Sequence, residues 1–232
     1  MLAQVGRTGN WRGELHERRA DGAPLTIMCS VTVLTEEDRG PTGFVVVNRD
    51  VTDQRREEFQ ALHDPLTGLP NRRLLINRLY DALARAHRNR TSLAVLFLDL
   101  DGFKAVNDHY GHAAGDEVLR VTARRLCGAV RHTDTVSRLG GDEFVVVLED
   151  SGDSDAVTQV ASRIIESCDE PVDIGCAAGV TVRPSIGIAF ADLEQGTDLQ
   201  PEELVEAADE AMYVAKRERL GLAFSGISAA AL

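Results

Sequence analysis

Two acidic residues, Asp99 and Asp101, stand two apart at the end of the apolar run Leu93–Leu98, and two more, Asp142 and Glu143, follow the pair Gly140-Gly141. On extended chain an i, i+2 spacing sends both carboxylates to one side. Adjacent glycines lack side chains and let a ligand's phosphate approach the backbone closely. Hard divalent cations take carboxylate oxygens together with substrate phosphates. A pair of such ions can activate a hydroxyl nucleophile and stabilise charge at phosphorus. Alone, either acidic pair reads better as ordinary exposed turn residues. Both together, at strand ends within one small domain, point to metal-assisted chemistry at phosphorus.

The chain has 232 residues and a formal net charge of −12. Such a field disfavours nucleic acid or an anionic membrane surface as partner. A polyanionic substrate would need local cations to overcome it. Of the 25 basic residues, only Lys104 and Lys216 are lysines. In a chain that otherwise uses arginine they are either chance survivors or placed groups, and composition does not decide between the two.

The acidic pairs belong to the larger of three pieces. Residues 1–50 alternate like strands (Trp11–Glu17, Leu25–Leu34, Gly43–Asn48), with turns at Asp21-Gly22 and Gly40-Pro41. Residues 51–62 are charged and helical in character. From His63 to about Ser225 helices and strands alternate, which predicts an α/β domain. Helices are expected at Arg72–Arg88, Ala113–Val130, Asp155–Cys168 and Pro201–Arg217. Strands are expected at Leu93–Leu98, Thr135–Leu139 and Glu143–Leu148, with a hairpin over roughly Pro171–Ala191. The unbroken apolar run Leu93–Leu98 predicts a central strand covered on both faces. The order resembles a ferredoxin-like βαββαβ core with additions, and the final ISAAAL reads as a frayed end. No apolar run approaches the roughly 18 residues of a membrane span. The four cysteines (Cys29, Cys127, Cys168, Cys176) have no metal or redox spacing, so a reducing, cytoplasmic setting is expected.

Four strings carry a specific resemblance. RLGGDEF at Arg138–Phe144 resembles the signature of GGDEF-domain diguanylate cyclases. It is flanked, in the family's order, by DPLTGLPNR at Asp64–Arg72, FLDLDGFKAVNDHYGHAAGDEVL at Phe97–Leu119 and ADEAMYVAK at Ala208–Lys216. The resemblance covers about residues 63–225. It implies the α+β fold shared by nucleotidyl cyclases and polymerase palm domains, and condensation of two GTP into cyclic di-GMP at a homodimer interface.

The resemblance also implies roles. Asp99, the Leu100 carbonyl and Asp142 would hold two Mg²⁺ or Mn²⁺ per active site. Glu143 would complete the acidic cluster, with Asp142 or Glu143 as proton acceptor. Asn107 and Asp116 would read guanine, an amide and a carboxylate together disfavouring adenine. His112 would lie near the nucleotide, and Phe103, Gly140 and Gly141 would also take part in substrate binding. Lys104, next to Phe103 in the loop after the first strand, and Lys216 on the last helix would meet phosphates. The family usually continues with Gly-Arg-Asn, whose arginine also binds phosphate; here Leu220 holds that position, which puts triphosphate affinity in question. Arg131 and Asp134, with five residues between Asp134 and Gly140, match the family's RxxD product-inhibition site, and Arg163 would be a second contact there. A catalytically silent GTP- or cyclic di-GMP-binding regulator is the rival class. Asn10–Glu14, Asp21-Gly22 and GFVVVNRDVTDQRREE resemble the C-terminal part of a PAS sensor domain and its exit helix. That family's front half has no counterpart in the sequence, so a closed haem or flavin pocket is not expected.

Overall fold

The computed structural model describes residues 5, 7–36, 40–175, 179–191 and 200–225. The chain divides into two compact units, Met1–Ala61 and Leu62–Leu232. In the first, β1 (Asn10–Arg18), β2 (Pro24–Glu36) and β3 (Gly40–Asp50) form an antiparallel meander in sequence order. Its small core is Val5, Cys29 and Val31, with Trp11, Leu15, Ile27 and Val33 packed around them. Helix α1 (Thr52–Leu62) buries no residue. Its Arg55 is tied to Glu14 on β1 and to Glu58 one turn on.

The second unit contains α2 (Arg72–Asn89), β4 (Leu93–Leu100), α3 (Phe103–Tyr110), α4 (His112–Ala129), β5 (Thr135–Gly140), β6 (Glu143–Glu149), α5 (Ser154–Cys168), β7 (Pro184–Phe190), α6 (Pro201–Glu218) and β8 (Leu222–Phe224). The five strands lie in the order β5-β6-β4-β7-β8. Strands β4 to β7 pair antiparallel and follow the ferredoxin-like βαββαβ path, and β8 adds to β7 in parallel. Period-2 alternation along β4 divides the core. Ala94, Leu96, Leu98 and Leu100 join a cluster with residues of α3, α4 and α5. Leu93, Val95 and Phe97 join one with residues of α2 and α6. Both faces of β4 are therefore covered, as its unbroken apolar run implies.

Helix ends follow local chemistry. Asn71 caps α2 by accepting from the Leu74 N–H at 3.2 Å, and Asp153 caps α5 through Ala156 at 2.9 Å. Helix α6 starts with Pro201 and a capping box between Gln200 and Glu203.

Two expectations need correction. The stretch after Asp101 is a helix, α3, not a loop. Its signal was short, with Phe103 and Val106 one turn apart and glycines at both ends. The expected hairpin over Pro171–Ala191 is reduced to a bridge between Val172 and Val180, because β7 pairs with β4 and β8 instead. Strand β8 was not anticipated. Cys29 and Cys168 are buried and Cys127 is exposed, all as free thiols; Cys176 and the ISAAAL tail lie outside the described residues. No described helix is long and apolar enough to cross a membrane.

Candidate active site

The site is assembled where β4 meets β6 and α6. Asp99 is the penultimate residue of β4, with Glu143 of β6 and Ser185 of β7 as its cross-strand neighbours. The turn between β5 and β6 takes Gly140 to φ +154° and Gly141 to φ +50°, values that L side chains rarely adopt. That geometry presents Asp142 and Glu143 at the tip of the hairpin.

The hairpin is braced from below. Arg138 on β5 donates to the Gly141 carbonyl through Nε at 3.1 Å and Nη2 at 2.7 Å. Its Nη1 bonds the Asp64 carboxylate at 2.9 Å, which also accepts from the N–H and hydroxyl of Thr67. Burial pushes the Asp64 carboxyl up, but the bonds from Thr67 and Arg138 outweigh it and hold its pKa below the ordinary value. The DPLTGLPNR string thus fixes the turn that carries the acidic pair.

The two acids at the end of β4 have different partners. Asp101 is held by the Ser185 hydroxyl at 3.0 and 2.9 Å. Asp99 is bonded by Lys216 Nζ at 2.5 Å. Burial would lower the Lys216 pKa, but the bond to Asp99 and the charges of Asp99, Asp101 and Asp142 raise it. Burial, then repulsion from Asp99, pushes the Asp142 carboxyl up. Glu143 is raised by burial and by Asp209, Asp99 and Asp142. Asp209, about two turns before Lys216 on α6, is likewise raised by burial and by Asp99, with Arg72 opposing. Sequence reading missed Asp209, although it lies in the quoted string ADEAMYVAK; a helical i, i+7 spacing to Lys216 was the available signal.

Among the described residues no three His, Cys, Asp or Glu side chains already close into a metal cage. The donor set nevertheless fits a hard cation. Like-charged carboxylates crowd one another here, and a divalent ion would relieve the repulsion.

The remaining residues divide into exposed and buried. Lys104 is exposed on the first turn of α3, His112 is exposed at the start of α4, and Asn107 and Asp116 are half-buried on those two helices. Phe103 is buried in the core and anchors α3, and the Leu100 side chain is buried as well. Leu220 is 57% exposed just beyond α6, and Arg217 is paired with its neighbour Glu218. Away from these, a cavity of about 190 Å³ is lined by Arg131, Asp134 and Arg163, together with Glu149, Ser151 and Gln159. Asp134 accepts from the backbone N–H of Arg131 at 2.8 Å and of Glu149 at 3.3 Å. Arg131 therefore meets Asp134 through its main chain. Burial raises the Asp134 pKa against those two bonds.

Comparison with known proteins places this architecture. The diguanylate cyclase GGDEF domain family matches residues 61–220. Diguanylate cyclase TpbB of Pseudomonas aeruginosa is 44% identical over 162 residues, 70% of this chain and 37% of TpbB. The bifunctional diguanylate cyclase/cyclic di-GMP phosphodiesterase MucR of the same organism is 43% identical over 84% of this chain and 27% of its own length. The chain thus spans only about a quarter to a little over a third of the length of such relatives. The solved structure of a TpbB delta-N mutant comprising only its GGDEF domain superposes with a TM-score of 0.67 at 42% identity, covering 71% of this chain and 95% of that one. The coiled coil and GGDEF domain of DgcB from Caulobacter crescentus, solved with c-di-GMP, gives 0.64 at 25% identity, over 75% of this chain and 89% of that one. With the family matched across most of its length, this chain belongs to the GGDEF-domain diguanylate cyclase family.

Proposed function

We propose that this chain condenses two GTP molecules into cyclic di-GMP with release of two pyrophosphates. The observation that carries this reading is the crowding of Asp99, Asp142 and Glu143 at one strand end, beside Lys216. Asp99, Asp142 and the Leu100 carbonyl would hold two Mg²⁺ or Mn²⁺. When bound, the ions supply charge stabilisation at phosphorus and acidify the attacking hydroxyl. Asn107 and Asp116 orient the guanine, while Lys104 and Lys216 meet phosphate oxygens. Lys216 would exchange its Asp99 contact for the substrate's phosphates. Asp142 or Glu143 takes the proton from the 3′-hydroxyl. The 3′-oxygen bonds to the α-phosphorus as the bond to pyrophosphate breaks.

One site takes one GTP, yet the product contains two 3′–5′ linkages. Two copies therefore meet face to face under two-fold symmetry, each attacking the other's nucleotide. The Arg131, Asp134 and Arg163 cavity is proposed to bind the product and restrain synthesis. Residues 1–50 are read as the C-terminal part of a PAS-like domain, 51–62 as a signalling linker helix, 63–225 as the cyclase domain and 226–232 as a tail. A second reading, a catalytically silent nucleotide-binding regulator, is favoured only by Leu220 standing where the family usually has a phosphate-binding arginine. Incubation of the pure protein with GTP and Mg²⁺, followed by chromatography, separates the two. Cyclic di-GMP and pyrophosphate are expected; GTP recovered unchanged would support the silent regulator.

A further inference from the structure

Glycine is disfavoured within helices relative to alanine, because it loses more backbone freedom on folding. Gly115 is nonetheless the fourth residue of α4, and it is buried. A Cβ built on it would lie 2.0 Å from Asn107 Oδ1, 2.9 Å from Asn107 Cγ and 3.2 Å from the ring of Phe103. The Asn107 carboxamide therefore occupies the space that any side chain at 115 would need. The junction between the helices fixes the Asn107 main chain from which that carboxamide projects. Gly111 turns at φ +84°, and its N–H donates to the Asn107 carbonyl at 2.9 Å.

We propose that Gly115 is a positioning residue for base selection, its missing side chain seating the Asn107 amide where it discriminates guanine from adenine. The inference rests on the reading of Asn107 as a guanine-binding residue. The obstructing atoms explain why the effect falls on Asn107 and not on the fold. Two of the three belong to the far end of a side chain that can rotate, and the Phe103 ring need yield only slightly. An alanine at 115 displaces the amide while the helix gains a better helix former. A hydrogen-bonding group moved off its base loses discrimination, since the misaligned polar partners go unsatisfied.

The test uses the α,β-methylene analogues of GTP and ATP with Mg²⁺, which block cleavage at the reacting bond. Their affinities are measured by calorimetry for the wild type, Gly115→Ala, Asn107→Ala and the double variant, alongside thermal melts. Gly115→Ala is expected to melt at or above the wild-type temperature while its guanine-over-adenine preference falls roughly tenfold. Asn107→Ala should fall similarly, and the double variant no further. Loss of preference in Asn107→Ala with full preference in Gly115→Ala would overturn the role of Gly115 and leave the Asn107 reading standing. Full preference in Asn107→Ala would overturn both. A marked drop in the Gly115→Ala melting temperature would show that the glycine serves helix packing instead.

Discussion

Arg138 bonds Asp64 at 2.9 Å across 74 positions of sequence. Its guanidinium also grips the Gly141 carbonyl, so a residue at the entrance of the cyclase unit sets the turn that carries Asp142 and Glu143. The side chains of Arg138 and Asp64 are only 10% and 16% exposed. Removing one partner leaves a nearly buried charge uncompensated, which costs about 3 kcal/mol. Asp64→Ala should lose that much in urea denaturation at pH 7, together with most of its activity. Because the folded Asp64 pKa is depressed, its stabilisation is present above the unfolded value of about 4. It is lost as pH falls through the lower folded value. Wild type and variant should therefore converge in stability at strongly acid pH, and a constant gap would contradict the pairing.

Glu143 has the opposite sign. Its folded pKa is raised, so protonation is favoured in the folded state. The associated stabilisation is fullest at low pH and declines as pH rises through the raised folded value. Glu143→Gln should be slightly more stable than wild type at pH 7 in EDTA. The gain is about 0.5 kcal/mol after allowance for solvent screening of an exposed group, and it should vanish toward pH 4. Mg²⁺ should raise the melting temperature of wild type more than that of the variant. Equal shifts would argue against a cation among these carboxylates.

Much of the site was legible in sequence because its parts are short strings with fixed local geometry. The unbroken run Leu93–Leu98 announced a two-faced strand, and Gly140-Gly141 announced a tight hairpin. Long-range partners were not legible. Nothing local in Lys216 indicates that it meets Asp99 across 117 positions, nor in Ser185 that it holds Asp101. Those contacts arise from strand order, which pattern alone does not specify. Helix α3 and strand β8 were missed because eight and three residues give too little periodicity.

Gly187 shows the same limit. A Cβ there would stand 2.0 Å from the Ala208 carbonyl and 2.1 Å from the Met212 N–H, both backbone atoms of α6. Backbone cannot rotate aside, so the helix must move. Gly187→Ala should cost about 3 kcal/mol in chemical denaturation and should reduce turnover, because α6 brings Lys216 to Asp99. A variant of wild-type stability would show that α6 is held less tightly than its packing implies.

Product feedback is tested at the cavity of Arg131, Asp134 and Arg163. An arginine fork can bind phosphate or stack on guanine. Cyclic di-GMP titrated into the wild type should bind and slow synthesis, and Arg131→Ala should lose both effects while keeping its initial rate. Identical progress curves for the two proteins, with no slowing as product accumulates, would remove this role.

The measurement that bears most directly on the acidic site is cyclic di-GMP formation by wild type and Asp142→Ala, with saturating GTP and Mg²⁺. Asp142 sits at an exposed turn whose geometry is set by Gly140, Gly141 and Arg138, so its carboxylate is expendable for folding. The variant should keep the wild-type circular dichroism spectrum and lose at least about a hundredfold in turnover, the scale expected when a group stabilising transition-state charge is deleted. Synthesis above a few per cent of the wild-type rate would contradict the assignment of this strand end as the catalytic centre.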